Sequence, residues 1–93
     1  MFVGIVRMEL HVPAARSLKD KRQVVRSLKD RIREKVHAAV SEVDHQDLWQ
    51  RAALGVAVVA PDASHAQDLL QSVRRIVDEE YSAVVTDWQE RIE

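Results

Sequence analysis

Two stretches of the chain have the period of an amphipathic helix, and strand-like sequence flanks each of them. The first, residues 18–36, places apolar side chains three or four positions apart. The second begins at residues 61–64 and continues to about Tyr81. Four strands are predicted from alternating or continuous apolar runs, at residues 2–12, 37–43, 52–60 and 83–92. The resulting order of strands and helices restricts the chain to few topologies.

This order predicts an α+β fold, the ferredoxin-like β-α-β-β-α-β sandwich, in which a four-stranded antiparallel sheet carries two helices on one face. A chain of 93 residues has the length of one domain, so we expect residues 1–93 to form a single ferredoxin-like domain. In residues 2–12 the even positions are apolar, so the even side should face the helices. The predicted core contains Phe2, Val6, Met8, Leu10, Leu28, Ile32, Leu69, Val73 and Ile76.

Residues 52–60 also allow a second interpretation. Their alanines are compatible with a helix, whereas Gly55, the valines and the Pro61 that follows favour a central strand. The strand is therefore the better prediction, and the helix is the alternative.

Composition excludes several kinds of site. The absence of cysteine excludes disulfides, thiolate metal sites and a cysteine nucleophile, and it fits a cytoplasmic protein. The N-terminus lacks the pattern of a signal peptide, and no apolar run reaches the roughly 20 residues of a membrane span. Two glycines cannot build a phosphate-binding loop, and residues 44–47 fit a polar turn better than a metal site. We therefore expect no catalytic residue, metal, cofactor or membrane contact, and no small-molecule substrate is identified.

The charges are segregated along the chain. Residues 16–35 contain nine basic and three acidic residues, whereas the remainder contains five basic and twelve acidic ones. On a helical wheel five of the cations line one flank at spacings of three, four, three and four. This basic stripe consists of Lys19, Arg22, Arg26, Lys29 and Arg33. It is either a solvated face whose cations extend over the sheet edge, or a contact surface for a polyanion such as RNA.

Lys21 differs from the other cations because it falls inside the apolar arc of the first helix. Its position near the helix start predicts that the apolar stem crosses the end of the sheet and the ammonium reaches water. A buried, reactive amine is the alternative.

The face of the sheet opposite the helices is predicted to lack cover. Val3 and Ile5, with Val59 or Val85, would add apolar area to it, which favours a protein contact, most simply a homodimer. RNA-recognition modules of this topology stack bases on aromatic residues of the open strands. The first and third strands offer no aromatic residue on that face, so any RNA binding should depend on the charge of the helix.

Four segments resemble the YlxP-like family of small bacterial proteins of unknown function: residues 17–22 (Ser-Leu-Lys-Asp-Lys-Arg), 40–44 (Val-Ser-Glu-Val-Asp), 47–50 (Asp-Leu-Trp-Gln) and 53–55 (Ala-Leu-Gly). The resemblance implies a ferredoxin-like fold and a bacterial cytoplasmic protein. Family genes often lie beside genes of translation initiation and ribosome maturation, which implies an RNA or ribosomal partner by association only. The family implies no catalytic residues. Val36-His37 stands where members usually have an aromatic residue and Asn, which predicts looser packing at that helix end.

Three hypotheses for the function follow. The first is a non-enzymatic accessory protein that binds RNA or a ribosomal subunit through the basic stripe. The second is a structural or regulatory homo-oligomer that packs through the open sheet face. The third is a small enzyme of unknown reaction, which would require a pocket with perturbed titratable groups.

Overall fold

The computed structural model describes residues 1–93. The strands are β1 (Phe2–His11), β2 (Ala39–Asp44), β3 (Arg51–Ala60) and β4 (Val84–Ile92), and the helices are α1 (Leu18–Val36) and α2 (Ala63–Asp78). The strands form one sheet in the order β2-β3-β1-β4, and every neighbouring pair is antiparallel. The helices pack against each other and on the same side of this sheet. The predicted ferredoxin-like fold is confirmed, and residues 52–60 are a strand rather than a helix.

Local signals fix the bounds of α1. The Ser17 hydroxyl accepts a hydrogen bond from the Asp20 N–H at 3.1 Å and caps the first turn. At the other end His37 adopts a left-handed conformation with φ 58°, and its N–H bonds to the Arg33 carbonyl. Because His37 closes the helix, β2 begins at Ala39, and the prediction of a strand from residue 37 is wrong. Left-handed positions favour Asn among residues with a side chain, so His37 occupies a position that suits Asn better.

The second helix is shorter than predicted. The Asp62 carboxylate accepts from the His65 N–H at 2.7 Å and begins α2, which ends at Asp78 rather than near Tyr81. Residues 79–82 form a turn in which Tyr81 is fully exposed. Neither α1 nor α2 combines the length and apolar character needed to cross a membrane.

The core lies between the sheet and the helices, and the parity predicted for β1 is correct. Val6, Met8 and Leu10 are buried, as are the predicted core residues of the helices except Leu69, which is half-buried against the core. Phe2 is the error: it pairs with Ala60 at the far end of β3 and is 38% exposed, because the helices do not cover that end of the strand.

Gly4 allows α2 to approach β1 closely. A Cβ at this position would lie 2.9 Å from Val58 Cγ2 and 3.2 Å from Leu70 Cδ1, closer than side chains pack. The absence of a side chain is therefore a packing requirement at this position.

Two register shifts determine which residues face the helices. Between Glu9 and Leu10 the pairing with β4 shifts by one residue, so Val85 packs against the core. The prediction that Val85 belongs to the open face is wrong, and its neighbour Val84 is the exposed residue there. A second shift in β2, at Val43, pairs Asp44 with Ala53 and so turns Asp44 to the open face, while Glu42, opposite Leu54, lies on the helix side by ordinary alternation.

Candidate nucleic-acid interface

The basic stripe is a continuous surface on one flank of α1. Four of its side chains are exposed and Lys29 is half-buried. None of the five forms a salt bridge with a carboxylate. The structure thus places the five predicted residues together, with no carboxylate within 4.0 Å of their charged nitrogens.

The stripe lies beside the edge strand β2. The guanidinium of Arg33 donates to the Val40 carbonyl at 2.9 Å, which fixes the end of the stripe against that strand. On the opposite flank of α1, Arg31 forms an ion pair with Glu80 at 2.7 Å, just beyond α2. Arg33 therefore covers the sheet edge, as the solvated-face interpretation expects, while the other four cations make no side-chain hydrogen bond within the protein.

Lys21 does not reach water, and the prediction that it does is wrong. Its side chain is fully buried, and Nζ donates to the carbonyls of His45 at 2.7 Å and Gln46 at 3.2 Å. Nζ also lies 3.0 Å from Glu42 Oε2. The route to solvent is closed because residues 45–50, the β2–β3 loop, fold over the start of α1. Two hydrogen bonds and an ion pair with Glu42 stabilise this buried ammonium, so Lys21 has a structural role.

The β2–β3 loop is also attached to the segment before α1. The Gln50 side-chain amide donates to the carbonyls of Pro13 at 3.1 Å and Ala15 at 3.2 Å. The Val12 N–H donates to the Gln50 carbonyl at 2.8 Å. Together with the bonds from Lys21, these contacts hold the loop rigidly at the end of the molecule where α1 begins.

On the open face of the sheet, Glu9 is the centre of a charged cluster. Its carboxylate lies 2.6 Å from Arg7 Nη1, 2.9 Å from His45 Nε2 and 3.1 Å from Arg51 Nη2. Partial burial raises the pKa of Glu9, but the hydrogen bonds from His45 and Arg51 and the charges of His45 and Arg7 lower this pKa by more. Glu9 is therefore ionised well below neutral pH.

Asp44 completes this cluster. The backbone N–H of His45 donates to Asp44 Oδ1 at 2.8 Å, and this bond, with the charges of His45 and Arg7, lowers the pKa of Asp44. His45 makes these contacts from a left-handed backbone with φ 62°. Both perturbed groups are carboxylates stabilised in their ionised form, the opposite of what a general acid needs at neutral pH. No group of three or more potential metal ligands is close enough to bind an ion.

A pocket beside this cluster was not predicted from the sequence. An open surface cavity of about 480 Å³ is lined by His11, Leu48, Trp49, Gln50 and Arg51. Trp49 is 55% exposed and Leu48 is 43% exposed. The strands themselves carry no aromatic residue on the open face, as predicted, but the β2–β3 loop supplies one at its margin. The segment 47–50 has no strand or helix periodicity, and the Trp within a polar turn is the only signal that pointed to it.

The predicted dimer residues lie at the opposite end of the open face. Val3 and Ile5 are half-buried, and Val59, paired with Val3, is 65% exposed. With Val43 and Ala57 they form the apolar end of the sheet face.

Comparison with known proteins identifies the family. The model for the family described as "Protein of unknown function (DUF503)" matches residues 3–90. The chain is 31% identical over 90 residues to the uncharacterized protein YlxP of Bacillus subtilis strain 168, covering 92% of this chain and 98% of that protein. The chain belongs to the DUF503, YlxP-like family, as the resemblance predicted.

Solved structures with low sequence identity share the fold. A de novo designed protein with a ferredoxin fold superposes with a TM-score of 0.57 at 15% identity, over 100% of this chain and 84% of that one. A C-terminal segment of the alpha subunit of aIF2 from Pyrococcus abyssi gives a TM-score of 0.53 at 18% identity, over 89% of this chain and 49% of that one. At these identities the likeness extends to the fold alone.

Proposed function

We propose that this member of the DUF503 family binds RNA or a ribonucleoprotein, without catalysing a reaction, through the basic stripe of α1. The observation that carries the proposal is the set of cations that have no acidic partner although acids are abundant elsewhere in the chain. Neighbouring like charges on a helix repel, so the stripe costs some stability. A polyanion would offset this cost.

The dimensions of the stripe fit a phosphate backbone. From Lys19 to Arg33 the helix rises about 21 Å, which allows contact with several successive phosphates. Such contacts carry little sequence information, so binding should depend strongly on salt and weakly on sequence. If three to five phosphates of a single strand are neutralised, the slope of log affinity against log salt should be roughly −2 to −3.5.

The test is a double charge reversal, Arg22→Glu with Arg26→Glu, assayed with ribosomal subunits and structured RNA fragments. Both side chains are exposed, so the fold should survive. A matched control, Arg75→Glu with Arg91→Glu, makes the same change in net charge on exposed residues outside the stripe. We expect the stripe variant to lose binding and the control to retain most of it. Equal binding by both variants, or no binding by wild type at low salt, would refute the proposal.

A second candidate function is homodimerisation through the apolar end of the open face. Val59 is largely exposed there, next to a shallow apolar groove that includes Ile5 and Val43. That face also carries charges of both signs, which could pair between two copies: Arg7, Arg51, Arg91, Glu9, Asp44, Asp87 and Glu93. Sedimentation at micromolar concentration should show a dimer that Val59→Lys dissociates. A monomer at every concentration would exclude this candidate.

A further inference from the structure

We propose that Trp49 is a stacking platform for one unpaired nucleobase, at the end of the phosphate track that the basic stripe provides. The inference rests on the proposed function, which it deepens: it names single-stranded RNA as the substrate class. Three features of the molecule support it: the fixed backbone of the β2–β3 loop, the chemistry of the pocket, and the position of the pocket relative to the stripe.

The β2–β3 loop exposes an indole to water although hydrogen bonds fix the backbone of the loop. Its backbone is fixed by Lys21, by the two bonds of the Gln50 amide and by the Leu48 N–H, which donates to the His45 carbonyl at 3.1 Å. An unconstrained loop could turn its apolar side chains inward. Here the backbone bonds keep Trp49 and Leu48 exposed, so the loss of side-chain freedom on binding a planar ligand is small.

The lining of the pocket suits a base better than a phosphate. Arg51, its only cationic neighbour of fixed charge, is paired with Glu9 at 3.1 Å, which weakens its attraction for a free anion. The guanidinium remains largely exposed and planar, and such a group contacts the face or edge of a base. His11 donates from Nδ1 to the Gln50 carbonyl at 3.1 Å, so its Nε2 has no partner in the protein. An apolar stacking surface with a few polar groups at its margin is what base recognition requires.

The pocket and the start of the stripe lie at the same end of the molecule, the pocket at the margin of the open face and the stripe in the helix layer. Lys21 lies in the first turn and a half of α1, one residue from Arg22, and its ammonium holds the loop that carries Trp49. A strand whose backbone follows the stripe toward the start of α1 therefore arrives at this loop. Phosphate contacts would supply most of the affinity, and Trp49 would select unpaired over paired RNA because a base must leave its helix to stack.

Trp49 can report its own contact. The other tryptophan, Trp88, is half-buried, with the Arg74 guanidinium 5.0 Å from its ring centroid. In a Trp88→Phe background, Trp49 is the single indole. We would titrate this protein with short oligouridylate, which has little stacked structure of its own, and with inorganic polyphosphate, which has the charge and no base. Affinities for both ligands would be measured by calorimetry, which does not need the indole, for the parent protein and for its Trp49→Phe, Trp49→Ala and Arg22→Glu with Arg26→Glu variants.

Stacking predicts quenching of Trp49 by oligouridylate but not by polyphosphate. Trp49→Ala should weaken oligouridylate binding about five- to a hundredfold, since base stacking on an aromatic side chain contributes on that order. Trp49→Phe should retain most of the affinity, and polyphosphate binding should be unchanged by either substitution. The stripe variant should lose both ligands.

Other outcomes overturn the inference and separate it from the proposed function. If Trp49→Ala binds oligouridylate as wild type does while the stripe variant does not, the stripe binds RNA and the stacking proposal is wrong. Equal quenching by polyphosphate would mean that the indole senses charge rather than a base. An emission shift that depends on protein concentration alone would identify a second copy as the occupant of the pocket. Failure of the parent protein to bind either ligand would reject both proposals.

Discussion

Lys21 and the basic stripe belong to the same helix, but their cations differ in burial and in bonding. Lys21 is fully buried, and each of its three donors has an acceptor nearby. The stripe cations are mostly exposed and have no acidic partner. Within a single turn of α1, a cation that the fold requires thus lies next to cations that have no acidic partner. Positive charge on this helix therefore has two separate roles, and a substitution can remove either role without removing the other.

Replacing Lys21 should have the largest effect on stability. Lys21→Met keeps an apolar stem of similar length but leaves the Glu42 carboxylate, 16% exposed, without a counter-ion. It also leaves two loop carbonyls without a donor. Breaking one side of a buried ion pair costs about 3–5 kcal/mol, a large part of the stability of a small domain. Urea unfolding followed by circular dichroism would measure the loss.

Arg22→Met is the matched control for this experiment. It makes the same chemical change one residue away on the exposed flank, and such substitutions usually stay within about 0.5 kcal/mol. Adding Glu42→Gln to Lys21→Met should restore part of the loss, because the uncompensated charge is then removed. If the two single variants were equally stable, the distinction between the buried and the exposed cations would have no energetic basis.

The charged cluster around Glu9, on the open face of the sheet, should have a smaller effect on stability, and this effect should depend on pH. Because the pKa of Glu9 in the folded protein lies below its ordinary value of 4.5, the folded state favours the ionised form. This contribution is complete above the ordinary pKa and is lost as pH falls through the lower, folded value. Glu9→Gln should therefore be less stable than wild type at pH 7, and the gap should close as pH falls from about 5 through the lowered pKa of Glu9.

Unfolding midpoints of both proteins across this pH range would test the expectation. Asp44 also has a lowered pKa, so wild type and variant should both weaken in acid, the variant less steeply. A gap that is constant with pH would show that Glu9 contributes packing rather than charge. Charge reversal on the stripe should leave this pH dependence unchanged, since none of its cations contacts the cluster.

The sequence predicts the fold well because apolar residues recur with the period of a strand or of a helix. Even residues of β1 and the apolar arcs of both helices identify the core, and capping residues identify where the helices begin. The position of the stripe follows from the same wheel. Its lack of acidic partners does not, because partners come from other elements, as Glu80 does for Arg31.

The features that the sequence does not predict depend on non-local contacts and on irregular backbone. The wheel correctly places Lys21 in the apolar arc, but only the folded β2–β3 loop closes its route to water. A one-residue bulge moves Val85 to the other face, and no periodicity signals a bulge. Trp49 belongs to a segment without repeating pattern, so its place beside Arg51 becomes visible only when the loop is folded.

Neutralising one cation of the stripe should have the smallest effect on stability. The sign of this effect tests directly whether the stripe cations, unlike Lys21, are not needed for folding. Arg26 lies four residues from Arg22 and three from Lys29, and four from the acid Asp30; two like-charge pairs outweigh one opposite pair, since each pair on a helix changes stability by about 0.2–0.5 kcal/mol. Arg26→Gln keeps a similar helix propensity, so it should raise the free energy of unfolding by a few tenths of a kcal/mol at low salt. The gain should vanish near 1 M salt, where charges are screened within about 3 Å.

The control is Arg31→Gln, the same substitution on the opposite flank of the same helix. It removes the ion pair with Glu80 and should lower stability, whereas Arg26→Gln raises it. If both lowered stability, the stripe would be contributing to the fold, and the reason for assigning it to a partner would disappear. If Arg26→Gln both gains stability and weakens RNA binding, the repulsion between stripe cations is a cost that RNA binding offsets.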